Sequence, residues 1–165
     1  MAQKFEIAKD EEQVVVFQLA DQTYGMDIAA VSEIIRMEKV TYVPRAPEFV
    51  EGVINLRGRI IPVIDLRGRF GLKGAEHTRQ SRIIVVEMAG VTVGLIVDAV
   101  LEVLRIPAES IEPPPAMVDG VDVAYLRGIA LFDGRMIILL NLEKILEEDE
   151  KETLGEAEAA AEVTV

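Results

Sequence analysis

The chain predicts an all-β protein built as two small five-stranded β-barrels in tandem, with short helices and an acidic C-terminal tail. Three observations carry this. The hydrophobic fraction of 50% comes with only 5% aromatics and no Trp, so the core must be built from Val, Ile and Leu, and β-branched enrichment favours sheet. Apolar runs of strand length recur between turn signals. The chain also repeats: residues 51–66 (EGVINLRGRIIPVIDL) align with residues 127–142 (RGIALFDGRMIILLNL) through Gly52/Gly128, Gly58/Gly134, Arg59/Arg135, Ile61/Ile137 and Leu66/Leu142.

Upstream, YGMDIAAVSEIIR (24–36) aligns with VGLIVDAVLEVLR (93–105), and the change of offset places an insertion in IEPPPAMVDGVD (111–122) of the second copy. One unit of residues 13–148 follows, made of barrel subdomains at about 13–79 and 82–148, with an exchange of terminal segments between barrels left open. Residues 1–12 and 149–165 are expected to be flexible ends. In order, VVVFQLA (14–20) and QTYGMDI (22–28) form a hairpin, as do RIIVVEM (82–88) and VTVGLIV (91–97) across Ala89-Gly90. VSEIIR and its copy VLEVLR are too short for helices and alternate like strands. Strict alternation puts Val31, Glu33 and Ile35 on one face and Ser32, Ile34 and Arg36 on the other. GVINL and RIIPVID form a further hairpin, and short helices follow in LRGRFGL and LEKIL, N-capped by Asp65 and Asn141. A copy of this size is marginal alone, so the two should pack over an apolar face, leaving a groove for binding.

One turn stands out. The second copy's hairpin turns at Asp133-Gly134, the dipeptide a type I′ turn prefers because both central residues need positive φ. The first copy has Arg57-Gly58 instead. A residue other than Gly, Asn or Asp costs about 1 kcal/mol there. Arg57 therefore reads as a functional side chain, its guanidinium projected into solvent with five donors for a partner.

Charge and residue types exclude several functions. The net charge of −12 is concentrated at the C-terminal end, where Glu143–Val165 carries nine acidic and two basic residues. Residues 57–82 hold seven basic side chains against Asp65 and Glu76, a local excess suited to a solvated surface or an acidic partner. With no Cys and only His77, neither a disulfide framework nor a Cys/His zinc site is available. Three serines (Ser32, Ser81, Ser110) and one His in a polar linker offer no nucleophile–base constellation. Glu33 and Glu102 recur at matched places, which argues for a shared structural job rather than acid–base catalysis. Gly68, Gly71 and Gly74 around Lys73 lack the Lys-Ser/Thr ending of a phosphate loop. RNA binding by the basic 57–82 segment is the alternative class, opposed by the overall acidity and by Phe70 being the segment's sole stacking aromatic. The expectation is a soluble cytoplasmic protein without catalysis, cofactor or metal.

YGMDI, VSEIIR, VPRAPEFVEGVINLRGRIIPVIDLR and GRMIILLNLEKIL together resemble CheW, the chemotaxis adaptor family, over residues 13–148. The resemblance implies two SH3-like barrels that join the cytoplasmic tips of chemoreceptors to the regulatory domain of the histidine kinase CheA, in arrays under the inner membrane without insertion into it. It implies receptor contacts at Arg57, Glu33, Asn55 and Leu56, and kinase contacts at Val31 and Gly52. The acidic tail departs from the family pattern.

Overall fold

A computed structural model describes residues 10–74, 76–88, 90–114, 123–146 and 150. Among the described residues, eleven strands form two curled sheets, half-barrels of the SH3-like kind, which match the expected all-β class. The first copy supplies β1 (Glu11–Leu19), β2 (Gln22–Asp27), β3 (Val31–Arg36), β4 (Gly52–Leu56), β5 (Arg59–Asp65) and the short helix α1 (Leu66–Arg69). The second supplies β6 (Arg82–Met88), β7 (Val91–Val97), β8 (Ala99–Pro107), β9 (Ile111–Glu112), β10 (Leu126–Phe132), β11 (Arg135–Leu140) and α2 (Leu142–Ile145). Asp65 and Asn141 do cap the two helices, accepting the backbone N–H groups of Arg67 (3.1 Å) and Glu143 (3.2 Å). The expected flexible end at 149–165 lies outside the described residues except for Glu150, and so does the part of the 111–122 insertion beyond Pro114.

The sheets do not follow the copies. One runs β8-β1-β2-β11-β10-β9 and the other β3-β6-β7-β5-β4. Each copy thus gives its first hairpin to the sheet of the other, where it is bounded on one side by a parallel pair (β2/β11, β5/β7) and on the other by an antiparallel one (β1/β8, β3/β6). Hydrophobic periodicity assigns a strand its faces but not its neighbours, so the repeat boundaries near residues 79 and 82 are not sheet boundaries. Strand β1 also opens earlier than expected, with Glu11 and Glu12 paired to Pro107 and Ile106 of the long β8.

Three apolar clusters follow from this arrangement. Ile54, Leu56, Ile61, Val63, Ile83, Val85 and Ile96 fill the β3–β7 sheet's concave side, and Val14, Val16, Ile106, Ala130, Ile137 and Leu139 fill that of its partner. The largest cluster lies between the sheets, with Val15, Phe17 and Tyr24 from one meeting Ile84, Val86 and Leu95 from the other. An aromatic file of Phe17, Tyr24, Phe70 and Tyr125 runs through it at centroid spacings of 5.9, 5.9 and 5.5 Å. Burial there pushes the Tyr24 phenol above its ordinary pKa.

A charged pin sits beside this core. Arg67 in α1 donates from Nε to Asp98 Oδ1 (2.9 Å), from Nη2 to Asp98 Oδ2 (2.6 Å) and from Nη1 to the Lys73 carbonyl (2.7 Å). Asp98 Oδ2 also accepts the N–H of Ala20, in the β1–β2 turn, at 2.7 Å. The pin therefore ties the helix that follows β5 to the hairpin lodged in the other sheet. Burial alone would raise the Asp98 pKa, but the hydrogen bonds from Arg67 and Ala20 outweigh it and the net shift is downward.

Candidate protein-interaction site

The β4–β5 hairpin carries most of the expected site, and its turn has the predicted geometry. Arg57 and Gly58 have φ of 51° and 87°, as Asp133 and Gly134 do in the second copy at 54° and 73°. Beside the arginine, Asn55 Oδ1 accepts the Gly58 N–H at 2.8 Å and braces the turn. The position aligned with Asn55 in the second copy is Leu131, which has no such oxygen, and there the favoured Asp occupies the turn. Leu56 points inward and is buried in the concave cluster. Of the three NLR residues, then, Asn55 holds the turn, Leu56 anchors it and Arg57 is presented, its side chain 70% exposed.

Arg57 is not free in solvent as expected. Its guanidinium forms a two-pronged ion pair with Glu33 on β3, Nη1 reaching Oε1 at 3.2 Å and Nη2 reaching Oε2. Hydrogen bonding from Arg57 holds the Glu33 carboxyl below the usual range, and the same bond raises Arg57 in turn. β3 and β4 are the two outer strands of their sheet, so the pair closes the open seam of the half-barrel. Its counterpart exists: Arg135 Nη1 donates to Glu102 at 2.7 Å and joins β11 to the outer strand β8. The matched glutamates do share a structural job, but the arginines come from different positions, because Arg135 aligns with Arg59 and not with Arg57. The Arg59/Arg135 identity was the available signal for this second seam, which sequence reasoning missed.

Val31 does not lie with Glu33. The pairing with β6 runs Val31↔Val86 and then Glu33↔Val85, leaving Ser32 as a bulge. One extra residue inverts the alternation, so Val31 packs on the inter-sheet cluster while Glu33 and Ile35 take the concave side. The second copy bulges at the aligned place, Leu101, between Val100 and Glu102. Gly52 is buried, and a Cβ built on it would lie 2.4 Å from the Thr41 carbonyl oxygen, where Thr41 runs antiparallel beside β4. Thr41 and Val53 exchange backbone hydrogen bonds there at 2.8 and 2.9 Å. Gly52 therefore has a packing reason to be glycine, independent of any partner.

The match to known proteins decides the family. Residues 13–150 match the CheW-like domain model. The chain belongs to the CheW-like family. Among relatives, the chemotaxis protein CheW of Klebsiella aerogenes is 37% identical over 139 residues, covering 84% of each protein. The chemotaxis protein CheW of Thermotoga maritima is 39% identical over 141 residues, covering 86% of this chain and 91% of the relative. The crystal structure of the scaffolding protein TtCheW from Thermoanaerobacter tengcongensis superposes with a TM-score of 0.77 at 48% identity, covering 85% of this chain and 90% of that one. The CheW-like resemblance, the fold and a place among chemotaxis scaffold proteins rest on these matches. The scaffolding role named for TtCheW agrees with the non-catalytic reading. Among the described residues, no helix of this CheW-like chain is long and apolar enough to cross a membrane.

Proposed function

We propose that this chain is a chemotaxis adaptor that holds the histidine kinase CheA, through its regulatory domain, on the cytoplasmic tips of chemoreceptors in arrays at the inner membrane. The observation that carries the proposal is the exposed Arg57 at a braced turn. Glu33 uses two of the five guanidinium donors and fixes the plane of the group, so the remaining three are left for a partner on a group whose orientation is already set. Arg57, Glu33 and Asn55 form the receptor contact in this reading, with Leu56 as its buried anchor. Val31 and Gly52 act on the kinase contact through the shape of β3 and β4. No chemistry is required: tethering the kinase raises its effective concentration at the receptor, and receptor states that differ in their contacts to the adaptor then bias its activity. Co-sedimentation with receptor tips and CheA tests this. The wild type should carry CheA into the pellet, and Arg57→Asp should fail to join the receptor. Equal recruitment by Arg57→Asp would refute the receptor assignment.

A further inference from the structure

Of the seven basic side chains in residues 57–82, three turn toward carboxylates of the chain itself: Arg57 to Glu33, Arg67 to Asp98 and Arg69 to Glu150. Arg79 and Arg82 do not, and they gather with Arg36 around an open concavity of about 530 Å³ that Met37, Thr78 and Ser81 complete. Arg36 and Arg82 are directly opposite each other on β3 and β6, and like charges so placed repel. Among the described residues, none of these three arginines has an ion-pair partner. The loop that presents Arg79 is internally fixed: Thr78 N–H donates to Ser81 Oγ at 2.8 Å, Gln80 N–H to Thr78 Oγ1 at 3.1 Å and Ser81 N–H to the Thr78 carbonyl at 3.1 Å. Arg82 Nη1 donates to the carbonyls of Arg79 (2.7 Å) and Ser81 (2.9 Å), leaving its other donors uncommitted.

The chain carries a complementary segment. Residues 151–165 contain Glu152, Glu156, Glu158 and Glu162 against Lys151 alone. Their point of departure is held: Arg69 donates to Glu150 Oε2 at 2.9 Å and Oε1 at 2.5 Å and to the Ile145 carbonyl at 2.8 Å, and it lies over the Phe49 ring at 5.9 Å. Both Arg69 and Glu150 are mostly buried, so the tether is firm. From there, fifteen residues reach up to about 50 Å, against a radius of gyration of about 15 Å for a domain of this size. Tethering of this kind gives effective concentrations in the millimolar range, enough for weak charge pairs to persist at low salt.

We infer that the Arg36–Arg79–Arg82 concavity is an anion-binding site whose occupant is the chain's own acidic C-terminal segment, residues 151–165. The segment neutralises three mutually repelling arginines and covers a basic surface until a stronger anionic partner displaces it. Because the chain has no Cys, a nitroxide on Thr164→Cys in the full, isotope-labelled chain labels one position. At low salt its paramagnetic broadening should reduce the amide signals of Arg36, Met37 and Thr78–Arg82 at least about twofold, with recovery near 0.5 M NaCl as the Debye length shortens. Arg36→Gln with Arg79→Gln, both exposed positions, should remove the broadening without altering the rest of the spectrum. Absence of broadening at these amides, or its survival in the double variant, would overturn the inference. So would a single-stranded RNA that shifts the same amides while the nitroxide effect stays intact, because occupant and competitor would then not share the site. Failure of Arg57→Asp to bind receptor has no bearing on this measurement.

Discussion

Gly52 separates a packing role from a contact role, and Gly52→Ala makes the separation measurable. The added methyl would stand 2.4 Å from the Thr41 carbonyl oxygen and 2.7 Å from Val40 Cγ1. Cβ contacts shorter than 3.0 Å are essentially never seen, so the segment paired beside β4 has to retreat by roughly 0.6 Å. That retreat weakens both hydrogen bonds between Thr41 and Val53, each contributing about 0.5–1.5 kcal/mol. The expected loss is about 2 kcal/mol, or a Tm about 4–8 °C lower for a chain of this size. Gly128 is the internal control: its Cβ would meet the Glu112 carbonyl at 2.8 Å, a milder clash, so Gly128→Ala should cost less, about 1 kcal/mol. Urea unfolding followed by circular dichroism gives the order, and a CheA pull-down at 10 °C, where both variants are folded, gives the contact. Gly52→Ala with wild-type Tm and lost CheA recruitment would refute the packing account.

Other outcomes are equally definite. Arg57→Asp should lower Tm by no more than about 4 °C: Asp suits the positive φ, as Asp133 does in the equivalent turn, and the Glu33 pair that is lost, with the like charge that replaces it, is solvent-exposed and contributes little; a larger drop in a thermal melt would make Arg57 structural. Asn55→Ala removes the acceptor for the Gly58 N–H and should cost about 0.5–1 kcal/mol in chemical unfolding. Asp98→Asn weakens the pin and should cost about 1–2 kcal/mol at neutral pH. Since the folded-state pKa of Asp98 is lowered, its contribution is present above the unfolded value and fades as pH falls through the folded one. The gap between wild type and Asp98→Asn should therefore close below about pH 4, and a gap independent of pH would refute the ionic account.

Much of the fold was legible because its signals are local. Both hairpin turns, both helix caps and the strand identities rest on residues within a few positions of one another. The hairpin exchange was not legible, since either neighbour would satisfy the same apolar alternation. The bulge at Ser32 hid in the same way: VSEIIR alternates cleanly on paper, and only the register against β6 shows that Val31 and Glu33 part. Arg57 could be singled out from the repeat alone, but its partner lies 24 residues away and required coordinates. Asn55 was chosen for its motif, whereas its bond to the Gly58 amide gives the physical reason it stands there.

The traded hairpins have a consequence for how the molecule can come apart. Cleaving the backbone in the polar linker around His77 would leave two fragments, each holding one hairpin that only the other can complete. Neither piece could close a sheet of its own, so both would refold only as a complementing pair. At high concentration two intact molecules could make the same exchange with each other, giving an intertwined dimer without a single new contact.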